Sequence, residues 1–557
     1  MMKLFEAQCS AEQLEVNPAG KLLSGKQRQA EDNIAENNFG YSEKDKTFCP
    51  RFIYDVKELA KLEPGYWQAF KGLQSVSRRL RGNPESAELV TQAITKNLEK
   101  GFWVRSQREE DEETPGSHFL PWNYVMADSK STPCRLVADP SRPDKNGRSL
   151  NSVQVRGTGY VGEVRPVLLK VRCTALLLQG DLSSFFPSFE LTLKDQNLRK
   201  MLISTVGYGL PEDLKEDEVE VVRQARMGFG DRCAAPLAVA GRIKLADLVR
   251  IGKGEIADNL RPEIVRCLTD GSFVDDLFSG VEHGGQLEPL KQGLEEAVDL
   301  GSFTIKEWHC SGEVGKSKVL GYEWDKEQDT FTPRWEVHLG EIKRGVKLGI
   351  TLSEENLEDA LKGRFSKKML LSAVAQLYDP LGLLTPLVLN LRNVLSEVTQ
   401  RTKESHTEDD DIPQEYKGKL HWMLREVILA GKLSFPRTVI PSEVAEVRPK
   451  GILVGFADGS TLAYAASAYL VFPMEDGGHK SNLIYSNAKI LGSRRFSVPR
   501  TELLAAELLV KMMAMLEDAI EDKVSIINKV YLTDSEVVLK QIRLQAGLFD
   551  LFTGLRI

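Results

Sequence analysis

The chain has 557 residues, 42% of them hydrophobic and 27% charged, which is room for roughly three or four globular domains. A net charge of −7 excludes a strongly basic chain that draws in nucleic acid through its bulk field, so any such binding must come from local positive surface. The seven cysteines (Cys9, Cys49, Cys134, Cys173, Cys233, Cys267 and Cys310) contain no C-x-x-C pair; this argues against a zinc framework and fits reduced thiols.

Met1 to Ser10 carries Glu6 and lacks the apolar centre of a signal peptide. Residues 1–50 are polar and weakly periodic, and are expected to be peripheral. From Tyr66 to Leu98 apolar residues recur at helical spacing around Gly82-Asn83-Pro84, which predicts a helical hairpin. The acidic run Glu109 to Glu113 reads as a solvated loop. Ala175 to Leu178 suits a buried strand ending at Gln179-Gly180-Asp181. Lys318–Trp324 and Trp335–Leu339 read as strands, and residues 355–400 as helical. His309-Cys310, the one close His/Cys pair, reads as ordinary core or surface. The longest apolar stretch, Met369 to Leu391, is interrupted by Asp379, Pro380 and Pro386; it predicts buried helix and turn, not a membrane span. Thr402 to Gln414 reads as a linker. The last hundred residues run β, β, β, α, β, α, with a strong amphipathic helix over Val498–Ala519.

Two groups of acids carry the chemistry. Asp181 stands in Gln179-Gly180-Asp181-Leu182-Ser183-Ser184-Phe185-Phe186, and Asp275-Asp276 lie inside Phe273-Val274-Asp275-Asp276-Leu277. Adjacent acids pulled toward a core repel each other, and a divalent cation resolves the conflict. Mg²⁺ takes oxygen ligands from one or two carboxylates and substrate phosphates. Taken alone, an Asp-Asp pair is more often a hairpin turn with two exposed acids. The second group is Asp458 at a strand end (Phe456-Ala457-Asp458-Gly459-Ser460), Glu502 at a helix start (Arg500-Thr501-Glu502-Leu503) and Asp534 at the next strand end (Leu532-Thr533-Asp534-Ser535). Such acids can converge on one edge of a small α/β sheet. Dipole compensation for Glu502 and capping for Asp534-Ser535 are the alternatives.

In order along the chain these segments resemble the reverse transcriptases of LTR retrotransposons. Phe273-Val274-Asp275-Asp276 is similar to their Y/F-x-D-D box, and Asp181 with Phe186 to the partner strand. Arg135-Leu136-Val137-Ala138-Asp139 is similar to the fingers segment R-x-V-x-D. Phe229-Gly230 resembles the F-G that opens the nucleotide- and template-contacting segment, although Ala235 stands where the family has Pro and Pro236 follows. Val319-Leu320-Gly321-Tyr322-Glu323-Trp324 resembles the family's V-L-G-x-x-W primer-gripping hairpin, and Ser149-Leu150-Asn151, Gly301-Ser302-Phe303-Thr304-Ile305-Lys306-Glu307-Trp308 and Lys367 through Pro386 resemble the BEL/Pao group, the last phrase most sharply. Its role reads as structural. Asp458, Glu502 and Asp534 follow the order of an RNase H fold.

The resemblance implies an α/β and α+β multidomain chain. Residues 1–55 are then a polar N-terminal segment, 56–335 the fingers and palm of a right-hand polymerase, 336–447 a thumb- or connection-like helical region, and 448–557 an RNase H-like domain. That domain is expected to be incomplete at one edge, because the family's fourth acid is not reached before Ile557. It implies two Mg²⁺ (or Mn²⁺) per active site, held by Asp181, Asp275 and Asp276 and by Asp458, Glu502 and Asp534. Arg135 would contact the triphosphate, Phe186 would exclude a 2′-OH, and Gly230 would border the nucleotide. Lys306 would protonate pyrophosphate or simply be solvated. Expected partners are an RNA or DNA template-primer, dNTPs and other polyprotein products, with no membrane. The expected location is a cytoplasmic virus-like particle or the nucleus. The alternative is a catalytically inactive, co-opted fragment that only binds nucleic acid. Aspartic peptidase chemistry is rejected, because Asp270-Gly271-Ser272 and Asp458-Gly459-Ser460 reverse the order such a loop needs.

Overall fold

The computed structural model describes residues 39–106, 117–126, 133–155, 163–343, 346–401, 407, 409–444, 448–492, 496–544, 551–554 and 556. The start of the chain through residue 38, the acidic run Glu109–Glu113 and part of the Thr402–Gln414 linker lie outside the described residues.

The first described element is a hairpin, β1 (Phe39–Ser42) and β2 (Thr47–Pro50). Phe48, Phe52 and Tyr54 are buried in the first core, so this part of a segment expected to be peripheral packs inward through its aromatic residues. The expected helical hairpin is α1 (Tyr66–Leu80) and α2 (Pro84–Glu99). Asn83 accepts a hydrogen bond from the Ser86 amide and Pro84 occupies the first turn, where its missing N–H costs nothing. Next come β3 (Trp103–Ser106), β4 (Trp122–Met126), β5 (Cys134–Ala138), α3 (Leu150–Val153) and α4 (Val164–Arg172). Ser149 and Ser152 close a capping box at the start of α3.

β6 (Leu176–Ser183), β7 (Lys200–Ser204), β8 (Val219–Gln224), α5 (Ala234–Arg250), α6 (Arg261–Thr269), β9 (Ser272–Phe273), β10 (Asp276–Val281), α7 (Leu287–Asp299) and β11 (Thr304–Cys310) follow. β6 is the long inner strand of an antiparallel sheet of order β11-β6-β10-β9. A second sheet has the order β3-β8-β7. One apolar core runs through this region from Phe48 to Cys310.

β12 (Lys316–Val319), β13 (Tyr322–Asp325) and β14 (Thr330–Pro333) form a meander that β17 (Phe435–Pro436) later joins. The stretch expected as one strand from Lys318 to Trp324 is thus two strands, turned at Leu320-Gly321. Between them lie β15 (His338–Lys343), β16 (Val346–Thr351) and the helices α8 (Leu357–Lys362), α9 (Lys367–Ala375), α10 (Thr385–Arg401) and α11 (Gln414–Ala430). These helices share a core of their own.

β18 (Lys450–Gly459), β19 (Ala463–Pro473) and β20 (His479–Ile490) are antiparallel; α12 (Val498–Ile520) crosses over, and β21 (Ser525–Leu532) returns parallel to β18 before α13 (Glu536–Ile542). The expected order β, β, β, α, β, α is the one observed. β21 carries polar Asn528 and Lys529 in its middle, which interrupts its apolar pattern. α12 buries Ala505, Leu508, Leu509, Met512, Met513 and Leu516, the spacing of one helical face. Its core also includes Val167, Leu168 and Val171 of α4, so the C-terminal sheet and the first sheet are joined through α4. No helix among the described residues is long and apolar enough to cross a membrane.

Candidate functional site

The apolar run that ends in Asp181 becomes β6, and the Asp-Asp segment becomes the β9–β10 hairpin. Asp276 pairs in register with Asp181 across β10 and β6. Asp276 also faces Phe273, which leaves Val274 and Asp275 as the two-residue turn. Val274 sits at φ 55°, an unfavourable left-handed conformation for a β-branched residue. The turn is held by the Leu182 amide donating to the Asp275 carbonyl at 3.0 Å and by the Arg242 guanidinium donating to the Val274 carbonyl at 3.3 Å.

The three carboxylates act on one another. Burial, then the charges of Asp275 and Asp181, push Asp276 up to about 7. Burial and the neighbouring Asp275 raise Asp181. Burial raises Asp275, against the pull of Arg242 and Arg135. These half-buried carboxylates are hard oxygen donors of the kind a divalent metal takes, but in the structure their oxygens do not all lie within 4.8 Å of one another.

Other expected residues surround this turn. Arg135 lies exposed on β5, and its charge reaches Asp275. Lys306 on β11 is exposed, lowers the pKa of Asp181, and lies 3.9 Å from the carboxylate of Glu307. Phe185 is the core residue of its pair, whereas Phe186 is only half-buried and its ring centroid lies 4.9 Å from that of Phe229. Gly230 takes φ 106°, and a Cβ there would stand 2.8 Å from the Ala138 carbonyl; no other residue fits without movement. Sequence reasoning missed Arg242, which is 2% exposed under the turn. An arginine inside the otherwise apolar run Leu237–Ile243 of α5 was its signal.

The second acid group is tighter. Asp458, Glu502 and Asp534 each offer an oxygen within 4.8 Å of the others, the one such acid group found among the described residues. Asp458 is near the end of β18, Glu502 is in the first turns of α12, and Asp534 follows β21. Gly459 makes the approach: its amide donates to Glu502 at 3.1 Å, and a Cβ on it would lie 2.6 Å from the Glu502 amide nitrogen. Burial, then Asp458 and Asp534, raise Glu502. Asp458 and Asp534 remain exposed beside an open cleft lined by Phe456, Ala465, Ser467 and Leu532. This set of oxygens also fits a divalent cation.

The three acids thus stand together on a sheet of three antiparallel strands and one parallel strand, as expected of an RNase H-like domain. The comparisons agree: residues 366–535 match the family model described as "Pao retrotransposon-like RNaseH-like domain". The resemblance to a BEL/Pao-type retroelement Pol protein thus holds, and the matched segment contains Asp458, Glu502 and Asp534. It begins at the Ser366 cap of α9 and ends at the Ser535 cap of α13. No curated protein matches the chain. Among solved structures, a foamy viral protease-reverse transcriptase in complex with double-stranded DNA matches at a TM-score of 0.47 and 14% identity, over 82% of this chain and 64% of that one. A foamy viral protease-reverse transcriptase with an RNA/DNA hybrid matches at 0.46 and 14%, over 94% and 60%. This chain therefore spans less than two thirds of each.

Proposed function

We propose that the chain is the reverse transcriptase of a retrotransposon with an attached RNase H-like nuclease unit. The observation that carries the reading is the register of β6 and β10, which sets Asp181 opposite Asp276 with Asp275 in the adjoining turn. In this reading residues 56–335 are fingers and palm, 336–447 thumb or connection, and 448–557 the RNase H-like unit. It acts in a cytoplasmic particle or the nucleus, on a template-primer and dNTPs.

The reaction is attack of a primer 3′-oxygen on the α-phosphorus of a dNTP, with pyrophosphate leaving. Asp181, Asp275 and Asp276 would hold the divalent ions, which when bound stabilise charge on the attacking and leaving oxygens. Arg135 contributes a guanidinium fork suited to two phosphate oxygens. Phe186 occupies the space a 2′-OH would need. Lys306 adds positive charge at the rim. The rest of the contribution is positioning. Asp458, Glu502 and Asp534 would hold ions in the same way for cleavage of RNA in a hybrid.

Primer extension on poly(rA)/oligo(dT) with Mg²⁺ tests the reading. The wild-type chain should extend the primer, and Asp275→Asn should abolish extension while the circular dichroism spectrum stays unchanged. Extension retained by Asp275→Asn would sink the metal assignment. No extension by folded wild-type protein would favour a chain that binds nucleic acid without catalysis.

A further inference from the structure

Around the first acid group one side chain makes contacts that the proposed chemistry does not yet use. Asn151, on the short helix α3, donates through its amide nitrogen to the Gly230 carbonyl at 2.9 Å and to Ser141 Oγ at 2.7 Å. Its amide oxygen accepts from the Arg232 backbone N–H at 2.9 Å. Three residues on, Gln154 Nε2 donates to Asp231 at 2.8 Å. From the other side, the buried Arg199 guanidinium grips both oxygens of Asp231, at 3.0 and 2.8 Å. Gly230, Asp231 and Arg232 are therefore clamped in succession. The Asn151 backbone N–H also donates to the Pro140 carbonyl at 2.9 Å, which ties the same helix start to the end of β5, the strand of Arg135.

Phe229 immediately precedes the clamped residues and is 52% exposed. A large apolar ring is thus held at the surface beside Phe186, 4.9 Å between centroids, by hydrogen bonds made to its neighbours. Core packing explains neither its place nor its exposure.

We propose that Asn151 is a positioning residue that seats Phe229 against Phe186, making the paired rings a specificity-determining wall for the sugar of the incoming nucleotide. The inference rests on the polymerase reading above and deepens it. An apolar wall accepts a deoxyribose carbon face and leaves a ribose 2′-hydroxyl desolvated without a partner. Its discrimination depends on where the ring stands, and a displacement of about 1 Å suffices to weaken such a site. Without Asn151 the Gly230 carbonyl and the Arg232 amide lose their partner and the ring loses its anchor.

The test uses the full chain on poly(rA)/oligo(dT), with kcat and KM measured separately for dTTP and rUTP. Asn151→Ala should lower the preference for dTTP over rUTP by about tenfold, mainly through a lower KM for rUTP. Asn151→Asp, which keeps the acceptor and loses both donors, should behave in the same direction. Phe229→Ala, at an exposed position, should lower the preference equally, and the double variant should be no worse than the worse single one, as expected for residues acting as a unit. Equal slowing with both nucleotides and an unchanged preference would show a merely structural role and overturn the inference while leaving the polymerase reading intact, as would additive effects of the two substitutions. Folded wild-type protein that extends with neither nucleotide would overturn both.

Discussion

Gly459 shows how one missing side chain assembles an acid cluster. It follows Asp458 and lies against the first turns of α12, where a Cβ would meet the Glu502 nitrogen at 2.6 Å and the Thr501 carbonyl oxygen at 2.8 Å. Both are backbone atoms, so neither can rotate away. Gly459→Ala should destabilise the C-terminal unit by about 1–3 kcal/mol, the usual cost of overpacking, and push Glu502 away from Asp458. Urea unfolding followed by far-ultraviolet circular dichroism would read the first effect, and hybrid cleavage with Mg²⁺ the second. A stability within a few tenths of a kcal/mol of wild type would mean that helix and strand do not approach this closely. The D-G-S word was legible in the sequence, because an acid followed by glycine at a strand end is a local pattern. The reason for the glycine was not, since Glu502 comes 43 residues later in the chain. The Asn151 clamp was hidden in the same way: its partner Gly230 is 79 residues away, and nothing local to Ser149-Leu150-Asn151 announces the pairing.

The β9–β10 hairpin was the most legible element, because apolar flanks around two acids describe a short turn on a buried strand. Its backbone conformation was not legible. Two-residue turns favour glycine or asparagine at positive φ, yet Val274 occupies the position at φ 55°. The conformation persists because the Arg242 side chain and the β6 backbone hold the turn on both sides. Replacing Val274 by Gly should relieve the strain and stabilise the chain by up to about 1 kcal/mol. The same change should lower primer extension severalfold, because it loosens the turn that carries Asp275. Thermal unfolding and extension assays on one preparation would check both. A variant that is less stable than wild type would show that the valine side chain contributes more by packing than its backbone loses by strain. β21 illustrates the opposite case: its middle is polar, so pairing with β18 and not periodicity defines its start at Ser525.

The acid groups sit in two sheets that share a core through α4. On the side of the first sheet, α4 precedes β6; on the other, its Val167, Leu168 and Val171 share an apolar core with Leu516 and Ile520 of α12. Arg437 pins the linking segment. It is fully buried and donates to the carbonyls of Val171, Thr174 and Ala175, at 2.6, 2.8 and 2.7 Å, and to both oxygens of Asp329. The rim of this contact is charged: Lys523, after α12, lies 3.6 Å from Glu263 of α6, and Lys170 lies between Asp270 and Asp522 at 3.8 and 3.9 Å. Burial alone would raise Glu263, but Lys523, Ser279 and Arg266 hold its carboxyl below the ordinary value of 4.5. A depressed folded pKa means that Glu263 contributes stability fully above the unfolded value, and that this contribution disappears as pH falls through the lower folded value. Unfolding in urea between about pH 6 and about pH 3 should therefore show wild type losing stability faster than Glu263→Gln over the acid end of the range. Lys523→Gln should lie between them, because it removes one of the groups that depress Glu263. Because the two sheets that carry the acids share the core around α4, tryptophan fluorescence and far-ultraviolet circular dichroism should report one coincident transition at neutral pH. Two separated transitions would mean that the two acid groups belong to bodies that unfold independently, and a Glu263→Gln curve parallel to wild type would mean that Lys523, Ser279 and Arg266 do not hold Glu263 below its ordinary value.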